Sequence, residues 1–208
     1  MELTTTSFED GGVIPDRHGF ARPVSPGPVE LSENVNPHLA WDDVPEGTSS
    51  FALVCHDPDV PSRGDDVNQP DREVPADLPR VDFYHWGVVD LPPDLREIDE
   101  GEFASGPVAG GQQVAAGPYG CRQAMNDFTG WFSGDPDMAG RYYGYDGPAP
   151  PWNDSIPHRY IFTIYALDIA NLDLGEDFTG QDVMDAMRGH ILDEASVFGT
   201  YTQNPRHR

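Results

Sequence analysis

The chain has 208 residues, of which 36 are acidic and 12 are Lys or Arg, for a formal net charge of -24. That length fits one domain, 1–208, and a hydrophobic share of 38% with 11% aromatics excludes wholesale disorder despite a mean hydropathy of -0.52. The charge also excludes the common nucleic-acid reading, because a phosphate backbone is bound through a basic footprint and the basic residues here are scattered singly.

No Lys occurs, and the acidic residues run along the whole length rather than forming a tail. Near molar salt the screening length shrinks to ~3 Å and self-repulsion fades. The pattern therefore predicts adaptation to a salt-loaded, halophilic cytoplasm. Met1 to Thr6 has neither a basic start nor an apolar stretch, and nowhere do about 18 apolar residues run together, so the expected location is cytoplasmic, with no stable membrane association. Cys55 and Cys121 show no paired ligand spacing; both are expected as reduced, unbridged thiols.

Gly and Pro punctuate the chain at short intervals and leave brief apolar segments, which favours a β-rich domain with long loops. Phe51 to Cys55 is the first apolar run, ended by the turn-rich Asp57-Pro58-Asp59. Segment 62–80 reads as a loop, and Phe83 to Leu91 is the second run. Segment 104–142 reads as another long loop. Tyr160 to Leu167, the third run, is β-branched and aromatic on both faces, as in strands buried on both sides of a sandwich. Val183, Met184, Met187, Ile191, Leu192 and Ala195 fall on one face at helical period, and Thr179 with Asp182 resembles a capping box; this spacing predicts a helix over 180–195, with Gly189 marking a close backbone approach.

No nucleophile elbow, Walker loop, zinc-protease motif or dinucleotide fingerprint occurs. What remains is polar residues at the ends of the buried runs: His56, Asp57 and Asp59 after the first, His85 inside the second, His158 and Arg159 opening the third. Strand ends beside loops are where a sandwich builds a pocket. Each feature alone has a plain structural reading: Asp57-Pro58-Asp59 as a turn, His85 as a satisfied core histidine, Gly147 to Pro151 as a rigid linker.

Taken together and in order, these segments resemble the phosphatidylethanolamine-binding proteins, especially the prokaryotic, Raf kinase inhibitor-like branch. The resemblance runs through Phe8 to Gly12 with Ile14-Pro15, Pro37 to Trp41, Asp57-Pro58-Asp59-Val60-Pro61, His85-Trp86-Gly87-Val88-Val89, Gly147 to Pro151, His158-Arg159-Tyr160, His190 to Leu192 and Gly199 to Tyr201. It implies a mainly β fold, an antiparallel β-sandwich with a C-terminal α-helix. It also implies a small anion pocket made by Asp57, Asp59, His85, Gly147, His158 and Tyr160, without metal or other cofactor. Val60 in place of the usual Ala, Ala149 in place of Cys, and the absence of a Gly before His158 depart from the family pattern.

The chemistry of such a site is imidazole N–H donors, backbone N–H groups near Gly147 and the Tyr160 hydroxyl, with Asp57 orienting a histidine. Two His and two carboxylates also form a rival zinc set, but lack a metal-binding spacing. The expected function is binding of a phosphate-bearing small molecule or modified side chain, with a kinase or protease as candidate protein partner and a homodimer left open. The alternative is a hydrolase using His85 or His158 as general base with Asp57 as its orienter.

Overall fold

The computed structural model describes all 208 residues. Short strands β1 (Glu2–Thr4), β2 (Ala21–Pro23), β3 (Val29–Leu31) and β4 (Leu39–Asp42) precede the long strands β5 (Ser50–Pro61) and β6 (Arg80–Leu91). After β7 (Glu97–Ile98) and β8 (Arg122–Gln123) come the single-turn helix α1 (Phe128–Trp131), β9 (His158–Leu167), helix α2 (Gly180–Ala186) and β10 (Ile191–Tyr201). The main sheet has the order β10-β9-β5-β6-β8; β1-β4-β7 form the facing sheet, and β2 pairs with β3; every strand pairing is antiparallel. The expected antiparallel sandwich is therefore present, and all three apolar runs are the central strands of its larger sheet.

Alternation explains why those runs read as continuously apolar. Phe51, Leu53 and Cys55 of β5, with Phe162, Ile164 and Ala166 of β9, pack against Leu3, Leu39, Trp41 and Ile98 of the facing sheet. Ala52 and Val54, with Tyr165 and Leu167, point the other way, onto Phe178, Val183 and Met187 around α2. Each central strand is buried on both faces, so no polar face interrupts the pattern.

The helix is shorter than its periodicity predicts. Thr179 and Asp182 do form a reciprocal capping box, but α2 ends at Ala186, and Gly189 adopts φ +84 with nothing near its would-be Cβ. Gly189 thus marks a left-handed turn rather than a close approach. Residues from Ile191 onward pair with β9 as an edge strand, so the C-terminal element is a strand and the expected C-terminal helix precedes it. The 104–142 segment also holds more than loop, since β8 and α1 lie within it.

Candidate functional site

The inward row of β5 continues past Cys55 to Asp57, where the sandwich core opens. In the pairing of β5 with β6, Cys55 faces Trp86 and His56 faces Tyr84, which leaves His85 as the extra residue of a bulge. A bulge bends its strand and re-aims a side chain. Here it brings the His85 ring to 5.1 Å, centroid to centroid, from that of Tyr160 on β9.

Asp57, His85, His158 and Tyr160 meet on the wall of a cavity of about 600 Å³, within the size range of small-molecule sites. The remaining wall is largely apolar: Phe83 from β6, Phe128 and Trp131 from α1, Phe132, Met138 and Phe20. Phe128 stacks on Phe20 with centroids 4.8 Å apart and on Phe132 at 5.5 Å, so α1 contributes a rigid aromatic panel.

His158 is gripped at both ring nitrogens. Its Nδ1 lies 2.7 Å from Asp57 Oδ2 and its Nε2 lies 3.0 Å from Asp154 Oδ2. Burial pulls its pKa down, yet Asp57 and Asp154 outweigh burial and lift it to about 9. The ring is an imidazolium bridging two carboxylates. Asp154 also receives Arg80 Nη1 at 2.7 Å and Nη2 at 3.1 Å; burial works against its charge, but the bonds from His158 and Arg80 hold its pKa below the usual range. Asp57 and Asp154 thus face His158 and Arg80, two acidic against two basic side chains in one cluster.

His85 is the opposite case. Its Nδ1 donates to the Asp146 carbonyl at 2.7 Å, while Nε2 has no partner in the protein. Burial, only partly offset by Asp57, drops its pKa to about 4. The ring is therefore neutral near pH 7, with the Nδ1 proton fixed by the carbonyl and Nε2 a lone-pair acceptor. The buried Tyr160 hydroxyl lies toward Asp57 without closing a hydrogen bond of full geometry; burial first, then the charge of Asp57 and a side-chain interaction with it, push its pKa well up.

Asp59 and Gly147 stand apart from the cavity wall. Asp59 makes two side-chain bonds with Arg159, at 2.8 and 2.9 Å, and accepts the Arg159 backbone N–H at 2.9 Å. Burial opposes its charge, but Arg159 lowers its pKa. The Gly147 N–H donates to Asn34 Oδ1 at 2.8 Å, and a Cβ at 147 would sit 1.9 Å from the His18 carbonyl oxygen. Glycine is needed there for close packing, and its N–H is already engaged. Of the expected donors, His158 is consumed by carboxylates and His85 presents an acceptor.

Behind His85 lies a second, more polar cavity of about 340 Å³, lined by Asn34, Asp146, Glu102 and Tyr143 among others. The Asp146 carboxyl accepts Asn34 Nδ2 and Asn126 Nδ2, each at 2.8 Å. Burial raises its pKa to about 7, the two amides notwithstanding. Sequence reasoning missed Asp154, Asp146, Asn34 and Gln203, a further wall residue of the larger cavity. The Asp154 to His158 spacing of four was a visible signal, as was the nearness of Asp146 to Gly147; Asn34 and Gln203 lie far along the chain from every motif. No group of three or more His, Cys, Asp or Glu is arranged to hold a metal ion, and no helix is long and apolar enough to cross a membrane.

Comparison with known proteins identifies the family of the chain. The chain is 36% identical over 202 residues to the UPF0098 protein YbhB of Escherichia coli, covering 97% of this chain and 100% of that one. It is 34% identical over 201 residues to a UPF0098 protein of Methanothermobacter thermautotrophicus, covering 97% and 98%. The crystal structure of Escherichia coli YbcL, described as a new member of the mammalian PEBP family, superposes with a TM-score of 0.67 at 24% identity over 97% of each chain, a likeness of fold. The sequence pattern of the phosphatidylethanolamine-binding protein family matches residues 4–202, and the chain belongs to that family.

Proposed function

We propose that this protein binds, without turnover, a small molecule or modified side chain that joins a phosphoryl head to an apolar or aromatic body. One observation carries the reading: a single cavity is lined both by the aromatic panel of Phe20, Phe128 and Phe132 and by the polar groups of Asp57, His85 and Tyr160, with the His85 and Phe128 rings 5.4 Å apart. Such sites are mostly apolar, with a few placed polar groups that fix orientation. The engagement of both His158 nitrogens argues against that ring as a general base. A regulatory role toward a kinase or protease rests on the family resemblance alone, and a net charge of -24 disfavours docking on an anionic bilayer.

The test is a crystal soaked with phenyl phosphate, together with an assay for released phenol. The expected result is the phosphoryl group beside His85 and Tyr160, the phenyl ring against Phe128, and no phenol. An anion lodged elsewhere, with the cavity filled by side chains, overturns the site; steady phenol release that His85→Ala abolishes favours the hydrolase alternative.

A further inference from the structure

Four buried polar atoms lack a hydrogen-bond partner in the protein: Trp41 Nε1, Arg80 Nε, Tyr160 Oη and Gln203 Nε2. Tyr160 and Gln203 are the two that belong to the wall of the larger cavity. Burying a donor without an acceptor is costly, so such groups call for an explanation. Gln203 is held where it is by its neighbour: Asn204 Nδ2 donates to the Asp154 backbone carbonyl at 2.7 Å, and the Asn204 N–H donates to Thr202 Oγ1 at 3.1 Å. The tail after β10 is thereby tied to the loop that supplies Asp154, and Gln203 is only 3% exposed.

The groups around His85 define what it can accept. Asp57 and His56 approach from β5, His158 and Tyr160 from β9, and the Asp146 carbonyl from the loop behind. Asp57 is paired with His158, and the Asp146 carbonyl fixes the Nδ1 proton, so Nε2 offers a lone pair. A fully deprotonated oxyanion would meet that lone pair with another. An acid keeping one hydroxyl would donate to it, while its remaining oxygens accept from Tyr160 and Gln203.

We propose that Gln203 is a ligand-binding residue, and that Tyr160, Gln203 and His85 together select an oxyanion that still carries one proton, the monoprotonated phosphoryl group of a phosphomonoester. This rests on the phosphoryl-binding reading and adds a rule of protonation to it. Sulfate monoesters and phosphodiesters, which have no ionisable proton left near neutral pH, are discriminated against. Phosphomonoesters lose their second proton near pH 6, so binding should fade about tenfold per unit above that.

Phenyl phosphate and phenyl sulfate provide the test, since near pH 5.5 the predominant forms are both monoanions of similar shape and differ by one proton. Equilibrium dialysis of the unaltered protein against each, at pH 5.5 and 7.5, should show at least about tenfold tighter binding of the phosphate at the lower pH, because sulfate must first draw a proton onto His85. Gln203→Met should weaken phenyl phosphate about tenfold or more without lowering the melting midpoint. Equal affinity for the two esters overturns the proton rule, and unchanged phosphate binding in Gln203→Met overturns the role of Gln203; both leave the broader reading standing. Failure of both esters to bind, with the cavity unoccupied in the soaked crystal, overturns this proposal and the phosphoryl-binding reading together.

Discussion

Two faces of one site differ in how completely their polar groups are engaged. On the His158 side, Asp57, Asp154 and Arg80 form a buried network in which both ring nitrogens are bonded and Arg80 Nε alone lacks a partner. On the His85 side, His85 Nε2, the Tyr160 hydroxyl and the Gln203 amide lack partners within the protein. The buried charged residues hold the strand ends together, and in the proposed reading the neutral groups are those that meet a ligand, with Arg63 and Glu30 as charged residues elsewhere on the cavity wall.

The largest effect expected from breaking this contrast is on stability. Asp154→Ala should leave Arg80 and His158 buried without a shared carboxylate and cost about 3–5 kcal/mol, measured by denaturant unfolding in concentrated KCl. A loss below about 1 kcal/mol would mean that the quartet behaves like a surface pair.

A pH series sharpens the same point. Because folding raises the His158 pKa from 6.5 to about 9, its contribution is fully present below pH 6.5 and is lost as pH rises through about 9. The loss should be on the order of 3 kcal/mol, and His158→Gln should flatten it. His85 works in the opposite sense: its pKa falls to about 4, so its contribution is present above pH 6.5 and is lost as pH falls through about 4.

On the ligand side, Tyr160→Phe should raise stability by about 1 kcal/mol, because it removes a buried hydroxyl without a partner. Phenyl phosphate affinity should fall in the same variant. A destabilised Tyr160→Phe would place Tyr160 with the structural half of the site.

The smallest effect belongs to the half-exposed Arg159 and its partner Asp59. Arg159→Ala should cost about 1 kcal/mol or less in low salt and close to nothing in molar salt. The same salt series should raise the melting midpoint of the unaltered chain by screening its net charge of -24. A flat midpoint would remove the reading of salt adaptation.

The larger sheet was legible because its three central strands are apolar on both faces, a signal carried by adjacent residues. The end of α2 was not. Ile191, Leu192 and Ala195 extend the helical spacing by coincidence, while the inward row of Val197, Gly199 and Tyr201 already shows the period of two seen in β10. The left-handed turn at Gly189 decides between them. In the site, Asp57, His85, His158 and Tyr160 were readable as polar residues at the ends of buried runs, and the resemblance grouped them. Their roles were not readable: the acceptor character of His85 depends on the Asp146 carbonyl, and the engagement of His158 depends on Asp154. A residue list cannot say which nitrogen of a ring is already bonded.

Asp146 divides its work between main chain and side chain. Its carbonyl fixes the His85 ring at the larger cavity, and its carboxyl, held by Asn34 and Asn126, belongs to the smaller one. The two chambers share no lining residue, and the bond from His85 to Asp146 links them. Asn34 and Asn126 lie outside the wall of the larger chamber, yet they set the position of the backbone that dictates the tautomer of His85. On the proposed binding reading, ligand preference is open to retuning from the rear, by substitutions that touch no part of the ligand.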